Sequence, residues 1–124
     1  MIHLDSGDLE NARSYIEKCL ELAQKEQAKY VEGYSLELLV HIIGKTDKSQ
    51  FAEAEESIVR GMKLLDEVKA RPHYAQGCLF LGELYADMNQ KKKAIEKLKE
   101  AKEMFGEMGM DHWLARTQET MAKL

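Results

Sequence analysis

Residues 75–105 decide the fold, and they read AQGCLFLGELYADMNQKKKAIEKLKEAKEMF. Small and apolar residues recur in this stretch every three to four positions, which is the spacing of one face of an α-helix. They form two runs: Ala75, Cys78, Leu81, Gly82 and Tyr85, then Ala94, Ile95, Leu98, Ala101, Met104 and Phe105. The polar pair Asn89-Gln90 separates the runs. The stretch therefore predicts two antiparallel helices whose apolar faces need further helices to cover them.

The spacing within these runs resembles that of the tetratricopeptide repeat. Cys78, Leu81-Gly82 and Tyr85 follow the first-helix pattern W-x2-L-G-x2-Y. Ala94 and Leu98 follow the second-helix pattern A-x3-F. The resemblance implies an all-α fold, a right-handed α-α superhelical solenoid of about six helices. It also implies a non-catalytic protein–protein interaction scaffold that binds a partner peptide or helix in a concave groove.

The repeat extends over the rest of the chain with a long period. The small residue of the second helix recurs at spacings of 42 and 40, at Ala12, Ala54 and Ala94. The first-helix register gives spacings of 44 and 40, at Val31, Ala75 and Ala115. A period above the family's usual value of about 34 residues resembles the repeats of kinesin light chains and of the arrays of large bacterial signalling proteins. This resemblance implies a cytoplasmic signalling or regulatory role.

The repeat spacing divides the chain into units. We expect one domain over residues 1–124, with a partial repeat in 1–27, repeats in 28–69 and 70–108, and a terminal helix in 110–124. Residues 1–6 are expected to be the tail of a helix that has lost its beginning. The chain is therefore expected to be a fragment of a longer protein.

Helix boundaries are predicted from glycine, proline and capping residues. Gly7 is expected to end one helix and Asp8 to cap the next. A break is expected at residues 106–109. A helix is expected to stop at Gly44, and Pro72 is expected to be the first residue of a later helix. Asp111 is expected to cap the last helix. For the helix in residues 29–43, the pattern predicts a core-facing stripe of Tyr30, Val31, Tyr34, Leu38 and His41.

Composition excludes several functional classes. The chain has 124 residues, a hydrophobic fraction of 44%, a charged fraction of 32% and a net charge of -4. Interleaved acids and bases argue against a nucleic-acid footprint, which needs a clustered basic face. The sequence contains no run long enough to span a bilayer, so no membrane contact is expected. Cys19 and Cys78 lie far apart at helical core positions, which favours reduced thiols over a disulfide or a zinc site.

Motifs that carry chemistry are weak, and we predict no enzyme and no cofactor. Gly44-Lys45-Thr46 resembles the end of a phosphate-binding loop, but Leu39 stands where that loop needs glycine. A metal site is not expected, because no two histidines have the spacing that places both on one helix face. The histidines are His3, His41, His73 and His112.

The first helices carry apolar residues outside their predicted core stripes. These residues are Leu39, Ile43, Leu79 and Phe80. Contiguous apolar surface is typical of a partner site, but packing between repeats would explain the same residues. With the polar residues of the same face, the predicted partner-binding set is Ser35, Leu39, Ile43, Leu79, Phe80, Glu83, Asp87 and Arg116. Apolar anchors of this kind favour a helical partner bound in a groove.

Two other functions remain open at this point. One is a structural self-association segment, in which the terminal helices make a homodimer. The helix that begins near Asp8 would leave Leu9, Ile16 and Leu20 with one open side, and Trp113 and Met121 would lie on a helix without a following partner. The other is an accessory domain of an enzyme with a small-molecule site.

Overall fold

The computed structural model describes residues 6–46 and 50–124, and it describes side chains over 8–43 and 50–124. Six helices follow one another in this part of the chain, with no strand between them. They are α1 (Ser6–Lys25), α2 (Lys29–Thr46), α3 (Phe51–Glu67), α4 (Arg71–Asp87), α5 (Lys91–Met108) and α6 (Asp111–Ala122). The prediction for residues 1–5 lies outside the described residues.

The helices stack as a two-layer array. Each helix packs against the next one along the chain, α2 also packs against α4, and α4 packs against α6. The first helices of the repeats, α2, α4 and α6, therefore form one layer, and α1, α3 and α5 form the other. This is a helical solenoid of helix-turn-helix repeats, as predicted.

Burial along the second helices follows the predicted register. Buried residues recur with the steps four, three and four in α3 and α5, at Ala54, Ile58, Gly61 and Leu65, then at Ala94, Leu98, Ala101 and Phe105. The same steps in α1 give Ala12, Ile16, Cys19 and Ala23, which are half-buried except for the buried Ala23. The repeat spacing read from the small residues is thus also the spacing of the core.

The predicted first-helix register is wrong in α2 and α6. In each first helix, the core-facing positions recur with steps of three, four and three. They are Gly33, Leu36, Val40 and Ile43 for α2, Ala75, Cys78, Gly82 and Tyr85 for α4, and Leu114, Thr117, Met121 and Leu124 from α6 onward. Ala75 therefore corresponds to Gly33 and Leu114, whereas Val31 is 44% exposed and Ala115 is exposed. Tyr30, predicted in the core stripe, is 45% exposed. The helices meet at an angle set by packing, which the chain positions of apolar residues alone do not determine.

The helices end by a repeated backbone turn. Four residues after helix ends have positive φ: Gln27, Lys69, Asn89 and Gly109. In each turn the next N–H donates to the carbonyl five residues earlier at 2.9 Å, as Ala28 N does to Ala23 O and Met110 N does to Phe105 O. This is the Schellman arrangement, which satisfies the last carbonyls of a helix. Three of the four positions are not glycine, so glycine was a poor guide to the boundaries.

Several predicted boundaries are corrected by this geometry. Ser6 already begins α1, so Gly7 and Asp8 lie inside the helix, and α2 continues past Gly44 to Thr46. Helix α5 runs through Gly106 to Met108, and Met110 rather than Asp111 is the N-cap of α6. Pro72 lies in the first turn of α4, one residue after its start. None of the helices over the described residues is long and apolar enough to cross a membrane.

Candidate functional site

The structure separates the predicted partner-binding residues by burial. Ser35, Ile43, Leu79 and Phe80 are buried, with exposed fractions of 5%, 4%, 0% and 6%. Leu39, Glu83 and Arg116 are half-buried, and Asp87 is exposed. Packing between repeats accounts for the buried members, which was one of the two interpretations of these apolar residues. Partner binding by the set stays a prediction, and it now depends on the members that solvent reaches.

Three of these residues meet where α4 and α6 pack together. Arg116 Nη2 lies 3.3 Å from Glu83 Oε1, which makes an ion pair between the two helices. The Arg116 guanidinium carbon lies 5.6 Å from the Phe80 ring centroid and 5.3 Å from the Trp113 ring centroid. A guanidinium within about 6 Å of a ring centroid makes a cation–π contact. Arg116 is therefore held by one carboxylate and two aromatic rings.

Ring contacts extend this arrangement from α6 to α2. The His41 and Phe80 rings stack with centroids 4.5 Å apart, and the Phe80 and Trp113 rings meet edge to face at 6.4 Å. Trp113 also stacks on Phe105 of α5, at 6.0 Å. We call His41, Phe80, Glu83, Trp113 and Arg116 the aromatic–arginine cluster. All three first helices of the array contribute to it.

Sequence reasoning identified only part of the cluster. Phe80, Glu83 and Arg116 belong to the predicted set, whereas the pattern places His41 in a core stripe and Trp113 on the open side of the terminal helix. The sequence signal for Trp113 is its spacing from Arg116, because residues three apart lie on one helix face. His41 lies outside the corrected stripe of α2 and is half-buried.

The cluster can recognise two kinds of group. The guanidinium of Arg116 presents several N–H donors in one plane. Glu83 is one acceptor for these donors, and an acceptor group on a partner could be another. The ring of Trp113, which rests against Phe80, offers apolar contact area at low cost in side-chain entropy. Aromatic and arginine side chains are the types enriched at the energetically important positions of protein interfaces.

A second aromatic group lies at the start of the same layer. Tyr30 Oη lies 3.0 Å from His73 Nε2, and the His73 ring meets the Tyr30 and Tyr34 rings edge to face, at 5.1 and 4.7 Å. His73 is half-buried, and burial lowers its pKa. These contacts join the first turns of α2 and α4.

Glu37 is an ionisable residue at a core position of α2, and the sequence pattern predicts no role for it. Its side chain is fully buried, and neither carboxylate oxygen has a hydrogen-bond partner among the side chains that the structure describes. Burial raises the pKa of this carboxyl to about 9. The group is therefore neutral near pH 7, because an uncompensated buried carboxylate would be far more costly.

The described residues contain little that suggests catalysis. No three His, Cys, Asp or Glu side chains in this part of the chain are grouped to hold a metal ion. Cys19 and Cys78 are free thiols, and burial raises the pKa of Cys78 to about 12, which keeps it protonated. A cavity of about 310 Å³ lies beside the turn between α3 and α4, lined by Leu65, Asp66, Lys69, Ala70, Arg71, Tyr74 and Met104.

Comparisons with known proteins agree with the architecture. A family model described as a tetratricopeptide repeat matches residues 1–26 and 75–106. A comparison with curated proteins gave no match. Tetratricopeptide repeats generally mediate protein–protein interactions, through the surfaces that their stacked helices create. The matched regions, together with the repeated burial pattern and the two-layer stacking, support the assignment of this chain to the tetratricopeptide repeat family.

Proposed function

We propose that this chain is a non-catalytic interaction module that binds a protein partner through the layer formed by α2, α4 and α6. The partner is a peptide or helix whose apolar side chain packs against Trp113 and whose acceptor group meets Arg116. The proposed site is the aromatic–arginine cluster, together with Leu39 and Asp87 of the predicted set. A role in a cytoplasmic signalling protein is part of the same proposal, on the resemblance of the long repeats.

One observation carries this proposal. Arg116 lies over two rings and beside Glu83 while its side chain keeps 36% of its exposure. A guanidinium held in place in this way loses little side-chain entropy when a partner binds. Stacked repeats expose a continuous surface along one layer, which suits an elongated partner.

Self-association is the second candidate, and a different surface favours it. Tyr15 and Leu22 lie seven residues apart on α1 and are 70% and 56% exposed. Residues seven apart share one face of a helix. A homodimer through α1 would cover these side chains, with the same patch on both subunits.

Peptide selection tests the proposed partner site. A random peptide library displayed on phage is selected against the chain, and the affinity of each selected peptide is measured by fluorescence anisotropy. We expect Arg116→Ala and His41→Ala to weaken binding by about tenfold or more, which corresponds to a loss of about 1.4 kcal/mol.

The matched control lies in the other layer. Val59 of α3 is 51% exposed, so Val59→Ser changes an exposed apolar residue away from α2, α4 and α6. Selected peptides should bind this variant with unchanged affinity. Peptides that lose binding to the Val59→Ser variant and keep it with Arg116→Ala would refute the proposed site.

A further inference from the structure

Glu37 occupies a position that the next repeat gives to leucine. The burial pattern of α2 and that of α4 are related by a constant shift of 42 residues, from Gly33 to Ala75 and from Ile43 to Tyr85. The same shift takes Glu37 to Leu79, and both side chains are 0% exposed. A carboxyl therefore lies where the following repeat places an aliphatic core residue.

The absence of a side chain at Gly77 makes room for this carboxyl. A Cβ on Gly77 of α4 would collide with Glu37 Oε1 and would lie 2.6 Å from Met62 Cγ. The carboxyl of α2, the thioether of α3 and the backbone of α4 thus border the same small space. Glu37 therefore lies inside the contact between α2 and α4.

The surroundings of Glu37 do not compensate a charge. On α4, the titratable group coupled to it is the buried Cys78 thiol, and α3 presents Met62. On α2 itself, Glu32 pairs with Arg60 of α3 at 2.8 Å, and His41 stacks on Phe80. Burial alone raises the pKa of Glu37, so no charged group of α1, α3 or α4 among the described residues offsets it.

We propose that Glu37 couples the contact between α2 and α4 to protons: the contact opens together with the release of the Glu37 proton to solvent. The closed contact holds the neutral carboxyl against Gly77. The open contact lets water reach the carboxyl, which then ionises as an ordinary glutamate does. This proposal does not rest on the proposed function.

Proton release sets the size of the effect. An exposed glutamate ionises near its ordinary pKa of 4.5, whereas the closed contact keeps Glu37 neutral up to a pH of about 9. Between these values each opening event releases one proton, so the population of the open contact rises about tenfold for each unit of pH. Mild acid therefore closes the contact, and mild alkali opens it.

Cys78 reports the opening, because it is 0% exposed on α4 beside the Glu37 site. The experiment measures the labelling rate of Cys78 by a dithiopyridine reagent from about pH 6 to about pH 8, in a Cys19→Ser background that leaves one thiol. The rate is divided by that of the same chain with Glu37→Gln, which cancels the ionisation of the thiol itself. Glu37→Leu, which repeats the residue at position 79, provides a second neutral reference.

We expect the ratio of rates to rise about tenfold for each unit of pH against both references. A ratio that stays constant with pH would overturn the proposal. The urea dependence of labelling identifies what opens, because it scales with the surface exposed. A local opening gives a much weaker dependence than global unfolding does, and equal dependences would also overturn the proposal.

Discussion

Glu37 of α2 and Leu79 of α4 occupy the same step of the repeat, 42 residues apart, and both are fully buried. The leucine at this step contributes apolar burial to the core, whereas the carboxyl contributes a proton-binding site with a raised pKa. A group whose pKa is higher in the folded than in the unfolded chain binds more protons when folded. Its contribution to stability is complete below the unfolded pKa and is lost as pH rises toward the folded pKa.

The first prediction follows from that sign. Between about pH 5 and about pH 8, Glu37 should lower the free energy of unfolding by up to about 1.4 kcal/mol for each unit of pH. Urea unfolding of the chain and of a Glu37→Leu variant measures this slope. The difference in stability should widen toward alkaline pH. The lowered pKa of His73 acts in the opposite direction below its ordinary value of 6.5, but it is common to both proteins and cancels in the difference.

The second prediction concerns the crossing of α4 and α5. A Cβ on Gly82 would lie 2.7 Å from Leu98 Cγ and 3.4 Å from the Ala94 carbonyl oxygen. Gly82→Leu should therefore lower the free energy of unfolding by about 1–3 kcal/mol or more, through overpacking. Thermal melting measures the loss.

A glycine with open surroundings provides the control for Gly82. Nothing lies within 4 Å of a Cβ on Gly106 of α5. Gly106→Ala should stabilise the chain by about 0.5–1 kcal/mol, since alanine loses less backbone entropy in a helix. Equal melting temperatures for Gly82→Leu and the parent chain would contradict the assigned crossing.

The fold could be predicted from residues 75–105 because nearly every local signal there agrees. Gly82, Leu98 and Phe105 have the roles that their spacing indicates. The register of α2 could not be read in the same way. A glutamate fills a core position there, while the apolar Tyr30 and Val31, three and two positions before the buried Gly33, remain exposed. Hydropathy cannot distinguish a neutral buried carboxyl from a solvated one, because the protonation state depends on the fold.

The candidate site was only partly predictable for a related reason. Phe80, Glu83 and Arg116 were chosen because they lie on one face of their helices, but contact between α4 and α6 depends on the angle of helix packing. Leu79 shows the limit of such reasoning. Leu79 and Phe80 are both buried in the core, yet only Phe80 contacts the Arg116 guanidinium.

The third prediction separates core from site. Leu79→Ala removes a fully buried side chain and should lower the free energy of unfolding by about 2–5 kcal/mol. Arg116→Ala breaks a partly exposed ion pair and two cation–π contacts, and it should lower stability by only about 1–2 kcal/mol. Urea unfolding of both variants makes the comparison. A larger loss for Arg116→Ala would mean that the cluster is structural.

The fourth prediction concerns self-association through α1. Tyr15 and Leu22 are exposed on one face of this helix, and covering each contributes about 1.5–3 kcal/mol if burial is complete. We expect the average mass in sedimentation equilibrium to rise with concentration. Tyr15→Ser with Leu22→Ser should restore the monomer mass. A mass that is independent of concentration in the parent chain would exclude this dimer.

The central claim is that the layer of α2, α4 and α6 binds a protein partner at the aromatic–arginine cluster. Amide chemical-shift changes on titration with a selected peptide test it most directly. The sequence contains one tryptophan, so the indole N–H of Trp113 gives a signal of its own. We predict that the largest changes occur at Phe80, Glu83, Trp113 and Arg116, with the α3 residues Val59 and Lys63 unchanged. Changes confined to α1, α3 and α5, with an unchanged Trp113 indole signal, would contradict the account.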